Sequence, residues 1–468
     1  MNKNNGLHPK IGFLVTGHKM YWSQFPGLKD MGAGMCKKFA AKLAQTGTVV
    51  ESGLVDTIER AQEACELFKN EKIDILFIFP IGYTTGMMIV PVVRELNVPI
   101  RILNAHEDKS YDYKNADTAM YLHHEGVCCI PEYSGTLVSF GKKFNVITGY
   151  LDDDKMWDEI YSAVSGAAAA TAFKKLNFAV IGSTYTNMTD MPTDEHRLLK
   201  ATGKLLLRPE IEEIEEAYKR VTEEQLEDMY RQLRALYNVD ETVTNEHLKI
   251  SARIAVAFDE IINKKYDISA FGYYWWGEKE EVTQLRAQSA LAVSRLAALG
   301  RPGVTEGDVK TAMAMKIIEL MGGYGMFLEF FSMDFEAEFI MMGHDGPANI
   351  NVANGKPRLK HLEVHHGKTG EGLGIDFDIQ QGPVTLLNLT QFCEGTFKLI
   401  YTSAEVIGGD ILNIGNPNCR VKVKKPIAQF INDWCQQGPS HHIALGLGDC
   451  TNAIETFAEA MGFEAVRV

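Results

Sequence analysis

The residues whose types suit chemistry fall mainly in the last third of the chain. Glu306 stands at a helix start in Thr305-Glu306-Gly307-Asp308, and Glu329 lies inside an apolar run, Met326-Phe327-Leu328-Glu329-Phe330-Phe331. A carboxylate in such a run is costly to bury unless it is paired, hydrogen-bonded or bound to metal. His344 follows a second apolar run, in Met342-Gly343-His344-Asp345-Gly346, and His441-His442 stands in a Gly/Pro/Ser loop. Two carboxylates and two imidazoles suit Mn²⁺ or a similar borderline-hard divalent ion. Each residue also has a plainer reading. Glu306 reads equally as a helix N-terminal acid, and His344 as a satisfied strand-end histidine. These residues are not local in sequence, so spacing alone does not assemble them.

Other motifs are absent or ambiguous. There is no GxxxxGK[ST], no HExxH and no GxSxG. Gly370-Glu371-Gly372-Leu373-Gly374 is glycine-rich but does not follow a strand-to-helix pattern, which argues against a phosphate cradle. Tyr273-Tyr274-Trp275-Trp276 reads either as an aromatic pocket wall or as interface packing. The eight cysteines are scattered without a CxxC and read as reduced thiols, with Cys128-Cys129 as two small buried residues.

The elements that must position these residues follow three textures. Residues 1–176 alternate strand and helix: strands at Ile11–Thr16, Thr48–Val55, Ile73–Pro80 and Val98–Asn104, and helices at Gly32–Thr46, Thr57–Asn70 and Met87–Leu96. That rhythm predicts an open parallel sheet. Ligands in such sheets sit beyond the carboxyl ends of the strands, which places Gly17, His18, Tyr21 and Tyr83–Thr85 in a cleft. A second alternating block, residues 177–324, opens with a strand at Phe178–Ile181 and a polar loop to Asp194. It continues through a charged helical stretch at Glu210–Tyr237, helices at Ala252–Ile262 and Glu280–Leu299, and a helix at Asp308–Met321 with Thr305 as its expected N-cap. From residue 325 to 468, short alternating strands take over: Met326–Phe330, Glu336–Met342, Leu362–His365, Pro383–Gln391, Thr396–Val406 and Arg420–Val423. Helices at Ile427–Gln437 and Thr451–Met461 close the chain. The expected fold is therefore α/β, with two open parallel-sheet domains followed by a mostly antiparallel β domain with C-terminal helices.

Bulk properties narrow the class. The chain has 468 residues, 46% hydrophobic and 23% charged, which is ordinary globular usage. A net charge of −14 argues against a nucleic-acid or anionic-membrane surface, because both need clustered Lys and Arg. There is no secretory apolar segment and no run long enough to span a bilayer, so a cytoplasmic protein is expected.

The segment Thr305-Glu306-Gly307-Asp308-Val309-Lys310-Thr311-Ala312 resembles the E-G-D-x-K-T-A segment of the L-arabinose isomerases. That family then shows a strand glutamate, a glycine–histidine and a His-His pair, and this chain has Glu329, Gly343-His344 and His441-His442 in the same order. The resemblance extends weakly over the whole chain, including Asn187-Met188 and Val146-Ile147-Thr148-Gly149. It implies an L-fucose/L-arabinose isomerase-like fold, with Glu306, Glu329, His344 and His442 as ligands of Mn²⁺ or another divalent cation such as Co²⁺ or Mg²⁺. Glu306 and Glu329 would be the acid/base pair for aldose–ketose exchange at a metal-bound enediolate. Substrate contacts would come from His18, Tyr21, Met188, Glu132 and His441. The resemblance also implies a homo-oligomer, a trimer or hexamer, whose sites are shared between subunits, so that His18, Glu132 and Tyr133 act on a neighbour's metal. By the same likeness, His365-His366-Gly367-Lys368-Thr369-Gly370 lies in a substrate-side loop, where a polar turn is the plainer reading.

Departures bear on the sugar. The family's first βα loop carries a Ser-Gln-His-Leu-Tyr-like stretch, where this chain has Gly17-His18-Lys19-Met20-Tyr21. The family's histidine before a Gly-Gly-x-Glu segment is matched by cysteine in Gly126–Tyr133, unless His123-His124 takes its place. The expected substrate is L-arabinose or a related free aldose. The alternatives are a same-fold isomerase for L-fucose or another aldose, and a catalytically silent sugar-binding homologue.

Overall fold

The computed structural model describes residues 6–275, 288–361 and 372–468. The expected strand at Leu362–His365, the stretch from His365 to Gly370, Trp276 and the beginning of the helix at Glu280 lie outside the described residues.

One compact unit ends at Ala172 and takes in Asn452–Met461. Its sheet contains β1 (Lys10–Thr16), β2 (Thr48–Val55), β3 (Ile75–Pro80), β4 (Ile100–His106) and β5 (Phe144–Tyr150), in the order β2-β1-β3-β4-β5. Every pairing is parallel. The apolar run of β3 is buried along its whole length, as expected for a central parallel strand with helices on both faces. Thr57 caps the helix Ile58–Glu71 by accepting from the Arg60 amide. The strand order reverses between β1 and β3, and the loops after their carboxyl ends carry His18 and Tyr83. Arg101 of β4 is buried and donates to Glu459 Oε2 at 2.8 Å and Thr456 Oγ1 at 2.6 Å, which pins the last helix, Thr451–Met461, to this sheet.

The second unit comprises Phe173–Thr451 and Gly462–Val468. Here β6 (Phe178–Gly182) pairs in parallel with β8 (Ala270–Tyr274), and β8 with β9 (Gly303–Val304). The strand β7 (Asn238–Val239) lies between β6 and β8 in sequence. The antiparallel part contains β10 (Gly325–Asp334), β11 (Phe339–Gly343), β12 (Arg358–His361), β13 (Leu373–Asp376), β14 (Gly382–Thr390), β15 (Lys398–Ile407), β16 (Asn418–Val423), β17 (Ile443–Leu447) and β18 (Glu464–Arg467). Six strands run in the order β14-β17-β10-β11-β16-β15, and β15 pairs again with β14, closing an antiparallel barrel. Closure removes the exposed edges an open sheet would leave. β18 adds to β15 in parallel, and β7, β12 and β13 form a small separate sheet.

The helix Val309–Leu320 links the two sheet systems. Nine of its twelve residues are buried, including Lys310. A helix apolar on nearly all sides belongs inside a core. Its N-terminus is thereby held rigidly beside the barrel.

Three local expectations are corrected. Thr305 does not cap this helix; Asp308 does, accepting from the Thr311 amide, because Thr305–Gly307 turns separately ahead of it. The charged stretch 210–237 is two helices, Ile211–Arg220 and Glu223–Leu236, because Thr222 with Gln225 builds a capping box that starts a new helix. Cys129 is buried but Cys128 is exposed, since adjacent residues of a helix face different directions.

Candidate metal centre

Strand register brings the barrel residues together. Glu329 of β10 lies opposite Gly343 of β11, and Leu328 lies opposite Ile443 of β17. His344 directly follows Gly343, and His442 directly precedes Ile443. The glutamate is therefore flanked by both histidines at one end of three adjacent strands. The loop before β17 is held by buried Asn388, whose Nδ2 donates to the carbonyls of Ser440 at 3.0 Å and His442 at 2.6 Å.

The fourth residue arrives from the turn ahead of the buried helix. Glu306 has φ 62° and Gly307 φ 76°. A left-handed non-glycine residue costs on the order of 1–3 kcal/mol and persists only where its surroundings enforce it. Here the Glu306 carbonyl accepts from the Tyr185 amide at 2.9 Å, and Gly307 packs where a Cβ would strike the Ser183 carbonyl.

The ring nitrogens converge. His344 Nε2 and His442 Nε2 are 3.0 Å apart. Glu306 Oε2 is 3.5 Å from His442 Nε2 and 3.7 Å from His441 Nε2. Two overlapping groups, Glu306 with His441 and His442, and Glu329 with His344 and His442, each have their donor atoms within 4.8 Å of one another. Each imidazole has its other nitrogen engaged: His344 Nδ1 with the Asp345 carbonyl at 2.7 Å, His442 Nδ1 with Asp308 Oδ2 at 3.0 Å, and His441 Nδ1 with Asp190 Oδ2 at 2.7 Å. An acceptor on Nδ1 places a proton there and turns Nε2 inward.

Electrostatics agree with a cation-binding pocket. Burial, reinforced by His442, pushes His344 down to about 4, so it stays neutral. Burial raises Glu329, only partly opposed by His442 and His441. Burial would also raise Glu306, but His441, His442 and His344 outweigh it and hold the carboxyl low. Glu306 Oε2 is nonetheless buried without a hydrogen-bond donor. Asp308 is fully buried; His442, Lys310 and Thr311 overcome the burial penalty and keep it well below the usual carboxylate range. An orphaned carboxylate oxygen beside inward-facing imidazole nitrogens fits a divalent cation.

The structure thus gathers Glu306, Glu329, His344, His441 and His442. Met188 stands half-buried in the loop after β6, outside the group of converging donor atoms. His18, Tyr21 and Glu132 belong to the other unit. There the His18 ring stacks on Tyr21 at 4.8 Å and Tyr83 at 5.9 Å, and Glu132 Oε1 accepts from the Gly86 amide at 2.6 Å. Tyr133 donates to Thr16 Oγ1 at 2.8 Å inside the core. His123 and His124 are buried there. Sequence reasoning missed Asp190, Lys310 and Asn388, and took Asp308 only as a helix-end acid. For Asp308, position two residues after Glu306 was an available signal; for Asp190 and Asn388, none was.

Comparison with known proteins agrees with this architecture. The model of the L-arabinose isomerase central domain matches residues 205–324, and that of the C-terminal domain matches residues 324–464. L-arabinose isomerase 1 of Bacillus licheniformis is 23% identical over 394 residues, 82% of this chain and 78% of that protein. The L-arabinose isomerase of Bacillus subtilis is 22% identical over 78% of this chain and 70% of its own length. That of Geobacillus kaustophilus is 21% identical over 89% and 85%. The two family models and these relatives place the chain among the sugar isomerases that interconvert aldoses and ketoses, a class of intramolecular oxidoreductase, and its parallel-sheet α/β layers leading into an antiparallel barrel are consistent with that class. The chain belongs to the L-arabinose isomerase family. No helix among the described residues is long and apolar enough to cross a membrane.

Proposed function

We propose that the protein is a divalent-metal-dependent isomerase of a free aldose, L-arabinose or a close relative, with Glu306, Glu329, His344 and His442 holding Mn²⁺ or a similar ion. The supporting observation is the pair of Nε2 atoms 3.0 Å apart, each on a ring whose Nδ1 is already occupied. Two such lone pairs face each other at little cost only when a cation or proton lies between them. A bound divalent ion supplies Lewis-acid polarisation of the sugar's carbonyl and neighbouring hydroxyl oxygens.

The remaining chemistry belongs to the chain. Aldose–ketose exchange removes a proton from one carbon and returns one to its neighbour. Glu306 and Glu329, which approach the imidazoles from the turn ahead of the buried helix and from β10, are the pair assigned to that removal and return. Asp308 keeps His442 in the tautomer that presents Nε2, and Asn388 fixes the loop bearing it. His441 lies at the exposed rim of the cluster, where a sugar hydroxyl can reach it. His18, Tyr21, Met188 and Glu132 are assigned to substrate contacts, those from the first unit acting in a neighbouring subunit of a trimer or hexamer in the cytoplasm. We assign three domains, 1–176, 177–324 and 325–468; the border between the two matched family models at residue 324 supports the second boundary.

The test is ketose formation by metal-stripped protein, with and without Mn²⁺, across L-arabinose, D-galactose, L-fucose, L-rhamnose, D-xylose and D-arabinose. Conversion that depends on Mn²⁺ is expected, and its ranking identifies the sugar. His18, standing where the family has glutamine, motivates the inclusion of sugars other than L-arabinose. Protein that binds no metal and converts no sugar would overturn the assignment in favour of a silent sugar-binding homologue.

A further inference from the structure

All three imidazoles at the centre face inward for one reason: each has an acceptor on Nδ1. For His344 it is a backbone carbonyl, and for His442 the buried carboxylate of Asp308. His441 has Asp190, whose Oδ2 accepts from both the His441 backbone amide at 2.8 Å and the ring Nδ1 at 2.7 Å. With those donors satisfied by one oxygen, the ring has a single orientation, and its Nε2 lies 3.7 Å from Glu306 Oε2.

Asp190 sits in the loop that follows β6, and that loop is held along its length. The Tyr185 amide donates to the Glu306 carbonyl at 2.9 Å. Buried Lys310 donates from Nζ to the carbonyls of Met191 at 2.7 Å and Pro192 at 2.9 Å. At the loop's far end, the Asp194 amide donates to Gln391 Oε1 at 2.7 Å. The helix Val309–Leu320 therefore fixes two things at once, the turn that delivers Glu306 and the loop that delivers Asp190. A loop needs no such anchoring to be merely a connection.

We propose that Asp190 is a positioning residue, which holds the His441 imidazole with Nε2 turned toward Glu306 and the reacting sugar. This rests on the isomerase reading above. Asp190 touches neither the sugar nor the ion; it acts through His441. An outer carboxylate of this kind contributes about 10- to 100-fold where its partner's orientation matters.

The experiment is a double-mutant cycle on the full chain with Mn²⁺ and the best aldose of the panel. D190A is expected to lower kcat about 10- to 100-fold with KM within about threefold. D190N should stay within about threefold of wild type, because both donors reach one oxygen and an amide oxygen can take that place. D190A combined with H441A should be no slower than H441A alone. Asp190 is part-exposed, so D190A should fold; D190S enters the same cycle if it does not. The parallel readout needs no turnover: the low-field proton resonance of the His441 ring N–H in the Mg²⁺-loaded protein, present in wild type and D190N, absent in D190A and H441A. The proposal is overturned if D190A keeps wild-type kcat, or slows the H441A background as much as it slows wild type. Should wild type convert no sugar, the isomerase reading falls and the resonance alone decides: its loss in D190A upholds the positioning contact, and its persistence there overturns it.

Discussion

Asp308→Asn separates the two tasks of one buried carboxylate. Oδ1 accepts from the Thr311 amide at 3.1 Å and caps the helix; Oδ2 accepts from His442 Nδ1 at 3.0 Å. The amide has a single oxygen for these two donors. If it stays on Thr311, the amide nitrogen faces His442 Nδ1, and the ring must shift its proton to Nε2, where it blocks the ligand position. If it turns to His442, the cap is lost, at about 0.5–2 kcal/mol. Asparagine caps as well as aspartate, and Lys310 keeps its two carbonyl acceptors, so the fold should survive. The first arrangement should prevail, and Mn²⁺ affinity should fall about 10- to 100-fold, or roughly 1.4–2.7 kcal/mol. Titration of free Mn²⁺ by electron paramagnetic resonance, beside thermal unfolding of the metal-free protein, reads both quantities. A variant that binds Mn²⁺ as tightly as wild type, with an unchanged melting temperature, would refute the two-oxygen argument.

Glu306→Gln and Glu329→Gln should each abolish aldose turnover while circular dichroism and melting stay near wild type; retained turnover in either removes that residue from proton transfer. Gly307→Ala places a Cβ against the Ser183 carbonyl at a φ of 76°, and should cost roughly 2 kcal/mol or more in denaturant unfolding, where an unchanged midpoint would contradict the packing. Glu319 lies beside Lys316 with its Oε1 buried, and is pushed up to about 7 from an ordinary 4.5, mainly by the loss of solvent. The folded state thus holds this proton more tightly than the unfolded chain, so stability declines as pH rises from about 4.5 and levels off above about 7, a loss of ~3 kcal/mol. Glu319→Gln should flatten that stretch of the stability–pH curve between pH 5 and 8; an identical slope in the variant would show that Glu319 is not its source.

Much of the fold was legible because its signals are local. The parallel sheet announced itself in the continuous apolar run of β3, buried on both faces, and Thr48–Val55 was located to the residue. Barrel closure was not legible, because the pairing of β14 with β15 that completes the ring depends on twist and register accumulated around six strands. The cap was misplaced for a local reason: Thr305 and Asp308 both suit the position, and the left-handed turn at Glu306 decides between them. The five residues gathered at the centre were each visible, as costly carboxylates and loop histidines. What brings them together is the register of β10 against β11 and β17, which no residue type encodes by itself.

The positioning groups were hidden for a different reason, and the contrast between two of them shows it. Asp308 and Asp190 perform the same task on neighbouring histidines, yet one is the buried cap of the helix that builds the core and the other sits in a part-exposed loop. An aspartate in a polar loop between Met188 and Pro192 looks in sequence like any turn residue. It acquires its role only because Lys310, more than a hundred residues downstream, holds the adjoining carbonyls. The two aspartates should also differ in what they tolerate: at 190 a single oxygen takes both donors, at 308 two oxygens take one each. The same substitution to asparagine is therefore nearly silent at one and damaging at the other, although both residues face imidazoles of a single centre.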